Sequence, residues 1–239
     1  MKIGIALRHY HQHGGGVWVY TRNIVKWLLQ LDTDDRFVFF YRGSTALGTY
    51  ADYPNVKEVA VRAPNKLLWD QCALLKALEA EKVDVLFNPK YSVPLRASCP
   101  TVFVCHGLDW YVMPWGSRFI DRINHRYLFP RFVRKASRII AVSETTKEHL
   151  HRYLYVPGEK VRVVYHGVDE IFKEAVDPET RSRVRARYAL PDRYFLYVGQ
   201  IYPPKNFGRL VLAFAKVGPQ NGVSLVVAGK HAFLCKREL

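Results

Sequence analysis

Three stretches of this chain hold residues whose types and spacing could do chemistry. His106 and Asp109 stand three residues apart just after an apolar run, Thr101 to Cys105. In that place they could share a proton or orient a hydroxyl, and a lone imidazole in a loop can equally hold backbone carbonyls. Gly14, Gly15 and Gly16 follow another apolar run, Ile3 to Leu7. Glycines there let the backbone come close to a ligand or take a positive φ. His9, His11 and His13 alternate in between, as metal ligands sometimes do, but no carboxylate or cysteine follows at close spacing. Histidines beside an anionic ligand fit that loop better than a metal site does, so no metal is expected. The third stretch is FLYVGQIYPPKNFGRLVLAFAKV, residues 195–217. A strand-forming run reaches Gly199 and Gln200, a proline loop carries Lys205, and Asn206 is an N-cap type before Leu210, Val211, Phe214 and Val217 at helical spacing. A helix N-terminus with a lysine beside it suits a diphosphate. The loop is neither GxxxxGK[ST] nor GxGxxG, so an ordinary strand-to-helix turn with a solvated lysine stays open as the alternative.

Regular elements must position these residues. Apolar runs predict strands at Ile3–Leu7, Phe37–Tyr41, Val56–Val61, Val83–Phe87, Thr101–Cys105, Ile139–Val142, Val161–Val164, Tyr194–Val198 (buried) and Val223–Ala228. Between them, Val17, Tyr20, Ile24, Trp27 or Leu28, and Leu31 predict one face of a helix. Leu67, Leu68, Leu74, Leu75 and Leu78 predict the inward face of another, from about Asn65 to Glu81. Arg118 to Arg138 reads as a basic helix with Arg118, Arg122 and Arg126 in one stripe. Ser143 is the expected N-cap of the helix that follows. Alternating strands and helices imply βαβ units and a parallel sheet whose carboxyl edge binds ligands. The expected organisation is a complete domain over residues 1–175, a connector over 176–193 with Asp177 and Pro178 opening an arginine-rich helix, and a partial domain over 194–239.

At 239 residues with 49% hydrophobic residues, the chain has ample material for a folded core. The four cysteines include no CxxC pair, which suits a reducing compartment. The opening residues lack the apolar run of a secretory signal, and no stretch approaches the ~18 apolar residues of a membrane span. A cytoplasmic protein is expected, peripheral at the inner face of a membrane. The formal net charge of +15 favours anionic partners. A basic polyanion or membrane-surface binder is therefore one candidate. Nucleic acid is not an expected partner, because no basic-aromatic stripe or nucleic-acid fold signature accompanies the charge.

In this order the glycine loop 14–16, FVCHGLDW, IIAVSETTKEHL, VRVVYHGVDEIF and the 195–217 stretch with SLVVAGK behind it are similar to the retaining, nucleotide-sugar-dependent glycosyltransferases of family 4. The resemblance covers nearly the whole chain. It implies an α/β GT-B fold of two facing Rossmann-like domains: one complete, doubly wound and parallel, the second incomplete. It also implies hexosyl-type transfer from a nucleoside-diphosphate sugar to a sugar, lipid-linked or other acceptor, with no cofactor and no metal. By the same resemblance Gly15 and Gly16 match the glycines near the donor phosphates, and His106, with Asp109 beside it, matches the active-site histidine near the transferred sugar. Gly199, Gln200, Lys205 and Asn206 match the second domain's diphosphate site. Gln200 stands where many relatives carry arginine, and the family's acidic motif of two glutamates would lie beyond Leu239. The alternative expectation is therefore a truncated, inactive relative that keeps acceptor and diphosphate binding.

Overall fold

The computed structural model describes residues 1–10, 15–31, 34–116 and 119–230. The chain divides into two compact units, Met1–Leu108 with Ile123–Gly167, and Asp109–Arg122 with Val168–Leu239.

The first unit is built on seven strands: β1 (Lys2–Leu7), β2 (Arg36–Arg42), β3 (Val56–Val61), β4 (Val85–Asn88), β5 (Thr101–Cys105), β6 (Arg138–Ala141) and β7 (Val161–Val163). They pair in the order β3-β2-β1-β4-β5-β6-β7, and every pairing is parallel. Strand residues alternate between the two faces, and both faces are covered, so the runs are apolar throughout. Ile5, Leu7, Phe37, Phe39 and Tyr41 pack on one side with Val25 and Leu29 of α1 (Gly16–Leu31). Ala6, Val38 and Phe40 pack on the other with Trp69, Leu74 and Leu78. The fold is the expected doubly wound α/β architecture.

Two helical faces differ from the expectation. In α1 the buried residues are Thr21, Val25 and Leu29, while Trp27 and Leu31 are exposed. Thr21 can turn inward because its hydroxyl donates to the Val17 carbonyl at 2.7 Å, which meets its hydrogen-bonding need within the helix. The helix after β3 opens as α2 (Lys66–Leu68), capped by the Asn65 side chain, passes through a π turn at Trp69–Ala73, and continues as α3 (Leu74–Glu81). A π turn inserts an extra residue into the helical register. Trp69 and Asp70 are buried there, whereas Leu67 and Leu68, which the leucine spacing placed inward, are exposed. Trp69 meets its polar requirement by donating from Nε1 to the Val61 carbonyl at 2.9 Å.

A short helix, α4 (Asp109–Val112), comes first, and the predicted basic helix from Arg118 to Arg138 is α5 (Phe119–Tyr127) and α6 (Phe129–Lys135), with Pro130 in the first turn of α6, where proline is tolerated, and Arg138 already in β6. Arg122 and Arg126 are exposed, and Arg118 lies outside the described residues. The Ser143 side chain caps α7 (Glu144–Leu154) by accepting from the Thr146 N–H. No helix among the described residues is long and apolar enough to cross a membrane.

The second unit contains α8 (Pro178–Arg187), capped by Asp177, then β8 (Tyr194–Val198), α9 (Phe207–Val217) and β9 (Ser224–Ala228). β8 and β9 form a two-stranded parallel sheet. β8 is not the buried strand its composition suggests: Phe195 and Val198 are 62% and 73% exposed. A sheet of two strands gives each residue few neighbours to pack against. In α9 the helical spacing is as predicted, but Phe207 alone is buried, and Phe214 rests edge-on against Phe195 at 6.2 Å.

Candidate functional site

In the first unit the strand order turns between β1 and β4, the point of a doubly wound sheet where ligands collect at the strands' carboxyl ends. Arg8 follows β1 and is 7% exposed. Its Nη1 lies 3.3 Å from Asp70 Oδ2, its Nη2 donates to His9 Nε2 at 2.8 Å, and its guanidinium stacks over Trp69. Burial pulls the Arg8 pKa down and pushes that of Asp70 up, and each charge partly restores the other. Asn88 ends β4 and shapes the next turn: its amide donates to the Ser92 carbonyl at 2.6 Å and its Oδ1 accepts from the Lys90 N–H at 3.0 Å. Lys90 is thereby half-buried in cationic company. Burial first, then Lys66 and Arg8, bring its pKa down to about 8, with Asp70 opposing.

His106 follows β5 on the same edge, and its Nε2 lies 2.7 Å from the Pro89 carbonyl. A carbonyl only accepts, so Nε2 carries the proton and Nδ1 of the neutral ring is left as an acceptor. The imidazole meets Tyr20 edge-on at 4.9 Å and lies 5.8 Å from the His166 ring. Burial holds the His106 pKa below its ordinary value, His166 and Lys90 add to that, and the Pro89 contact opposes it. The neutral ring is therefore the dominant form at neutral pH. Burial also pushes the Tyr20 phenol up to about 12. Gly15 precedes α1 with φ +87°, a conformation that suits glycine, and α1 begins at Gly16, so two backbone N–H groups of a first helical turn lie at this edge.

In the second unit the backbone at Gly199 takes φ +155° where β8 ends, and its N–H donates to the Ala228 carbonyl at 3.0 Å. A Cβ on Gly229 would fall 1.7 Å from the Gly199 carbonyl oxygen, so the close crossing of these loops requires glycine at 229. The Tyr197 hydroxyl holds the Gln200 carbonyl at 3.0 Å. Pro203–Lys205 forms a single 3-10 turn, and Lys205 is exposed just before α9. Asn206 precedes α9 but does not cap it: it adopts φ 53°, ψ 35°, and its side chain makes no capping bond. Closing the 3-10 turn puts Asn206 in the left-handed region, one that asparagine tolerates, and its side chain cannot then fold back on the helix.

Residues 14–171 match the sequence model of Glycosyltransferase Family 4. The chain belongs to glycosyltransferase family 4. Solved structures agree at the level of fold. Anabaena HepE, crystallised with UDP and glucose, superposes with a TM-score of 0.67 at 19% identity, over 100% of this chain and 63% of HepE. Sucrose-phosphate synthase from Thermosynechococcus elongatus gives 0.65 at 16% identity, over 95% and 62% of the two chains. WaaG, a glycosyltransferase involved in lipopolysaccharide biosynthesis, gives 0.63 at 12%, over 96% and 64%. The fold is that of the GT-B glycosyltransferases, and the chain spans about 63% of the length of HepE. No curated protein matches the sequence.

For this family 4 chain the structure brings Gly15, Gly16 and His106 to the carboxyl edge of the first unit, and Gly199, Gln200, Lys205 and Asn206 to one loop of the second. Asp109, exposed, opens α4 in the second unit. His11 and His13 lie outside the described residues, and among those described no three His, Cys, Asp or Glu side chains converge as a metal site would need. Sequence reasoning missed Arg8, Tyr20, Asp70, Lys90 and His166. Arg8 and Lys90 had one legible signal, since each is a cation placed just after an apolar strand run.

Proposed function

We propose that this protein transfers a sugar from a nucleoside-diphosphate donor to an acceptor, with retention of configuration and without a divalent metal. The observation that carries the reading is His106: a neutral imidazole fixed through Nε2 at the edge of a family 4 domain, with Nδ1 left to accept a hydrogen bond. In this reading His106 orients a hydroxyl of the transferred sugar, and the α1 N-terminus after Gly15 takes part of the donor diphosphate. In the second unit Gly199, Gln200, Lys205 and Asn206 make a phosphate-binding loop, where the Lys205 charge and the α9 N-terminus stabilise a diphosphate leaving group without a metal. UDP-glucose is the first donor to test, because HepE has been crystallised with it. The basic excess serves an anionic membrane surface that presents the acceptor.

The test pairs calorimetry with a donor-consumption assay. Lys205→Ala should weaken UDP binding about 10- to 100-fold, corresponding to the ~1.5–3 kcal/mol of a charged hydrogen bond. His106→Ala should leave UDP affinity nearly unchanged and abolish UDP-glucose turnover. Unchanged UDP affinity in Lys205→Ala, or wild-type turnover in His106→Ala, would show that these residues do not have the roles assigned.

A further inference from the structure

Asp109 and the segment it opens belong to the second unit, although the spacing in the sequence paired this carboxylate with His106. The segment is a compact double turn. α4 runs into a 3-10 turn at Pro114–Gly116, the Met113 N–H donating to the Asp109 carbonyl at 2.6 Å and the Gly116 N–H to the Met113 carbonyl at 3.0 Å. Its far end lies on the loop that carries Lys205. A Cβ placed on Gly116 would fall 3.3 Å from both Cδ and Cγ of Pro204 and 3.9 Å from Cβ of Pro203, so the Gly116 backbone rests against these prolines. Its near end reaches the same loop: burial raises the pKa of the Tyr202 phenol, and the Asp109 charge adds to that.

Burial in the second unit is concentrated where these contacts fall. Phe195 and Val198 of β8 are largely exposed, whereas Ile201 and Phe207, on either side of the proline turn, are 4% and 3% exposed, and Pro203 is buried. A two-stranded sheet supplies little cover of its own. A turn without support opens readily, and each proline fixes only its own φ. We infer that Asp109–Gly116 is a positioning segment, which holds the Tyr202–Lys205 turn in the place from which Lys205 and the first turn of α9 reach a diphosphate. It acts through Pro204 and does not itself touch the ligand. The inference rests on the diphosphate reading for the identity of that ligand alone, because the hold on the turn is measurable with no ligand present.

The experiment combines hydrogen exchange with UDP calorimetry on the full chain. The Lys205 and Asn206 amides report on the turn, since they donate to the Tyr202 and Pro203 carbonyls at 2.9 and 3.0 Å. Gly116→Ala presses a methyl group on the Pro204 ring, and should speed exchange at both amides and weaken UDP binding, each about 10-fold, with the α9 amides unchanged. Pro204→Ala removes the ring atoms that the methyl meets, so in that background Gly116→Ala should change neither quantity. A general loss of stability would not be relieved in this way. If Gly116→Ala loosens α9 as well, its relief in the Pro204→Ala background decides alone. Unchanged exchange at Lys205 and Asn206 in Gly116→Ala, or equal acceleration in both backgrounds, would overturn the proposal. So would faster exchange with wild-type UDP affinity, in a chain that loses UDP on Lys205→Ala. If Lys205→Ala keeps UDP, the diphosphate reading fails by itself, and the exchange comparison still decides whether the segment holds the turn.

Discussion

Lys90 is a cation whose surroundings work against its charge. Its pKa falls from 10.5 to about 8 on folding, so between those values the unfolded chain binds more protons than the folded one. Stability should therefore rise as pH increases from about 8 to 10.5, and below 8 the buried charge is a standing cost. The 5.7 Å cation-π contact with Tyr91 offsets part of it. Lys90→Met should raise stability at pH 7 by on the order of 1–3 kcal/mol, allowing for partial solvent access, and flatten the rise between pH 8 and 10. Urea titrations at pH 7 and 9 measure both. Lys90 also depresses the His106 pKa, so the same variant should move the His106 NMR titration midpoint upward. A destabilised variant with an unmoved midpoint would mean that Lys90 is satisfied where it stands. That the chain tolerates such a cation fits a residue kept for an anionic ligand.

At the scale of elements, what reaches the edge depends on how each strand hands over to its helix. Ser143 does this after β6 by a side-chain cap: its Oγ accepts from the Thr146 N–H at 3.1 Å and meets the Thr146 hydroxyl at 3.0 Å. Ser143→Ala should cost about 1 kcal/mol in urea unfolding and leave the far-UV spectrum unchanged. A loss below a few tenths would show that water replaces the cap. Asn206 shows the other route. It was legible as a cap by residue type, but the preceding 3-10 turn sets its backbone to φ 53° and takes the cap away. The π turn at Trp69–Ala73 is a third case, where leucine spacing suggested an unbroken inward face and a one-residue shift buried Trp69 and Asp70. Nothing local announces that shift; its gain is the packing of Trp69 and the ion pair of Asp70 with Arg8.

At the scale of the molecule, a formal net charge of +15 makes a long-range field that attracts anionic surfaces. Arg122 and Arg126 are exposed on α5, where they can contribute to it. Changing Arg118, Arg122 and Arg126 together to Gln should weaken sedimentation with anionic vesicles by about 1 kcal/mol per charge near the surface. The difference should shrink as salt is raised, because screening shortens the reach of each charge. Equal sedimentation with neutral vesicles, or none lost in the triple variant, would count against a membrane role.

The sequence by itself determined the strand and helix order, the parallel character of the sheet and the placement of Gly15, His106 and Lys205 at strand-to-helix junctions. These depend on local periodicity: an apolar run of five or so residues makes a strand whatever lies elsewhere, and the residue after it must fall at an edge. Tertiary structure alone decided which edges meet. β1 and β4 are far apart in the chain but adjacent in the sheet, and that adjacency gathers Arg8, Lys90 and His106 into one electrostatic neighbourhood. Burial did the rest. No motif in the sequence marks Asp70, and it becomes a buried partner of Arg8, 62 residues earlier in the chain, only when the fold brings the π turn against the end of β1. Desolvation and pairing belong to neighbours distant in sequence, and no spacing rule along the chain carries that information.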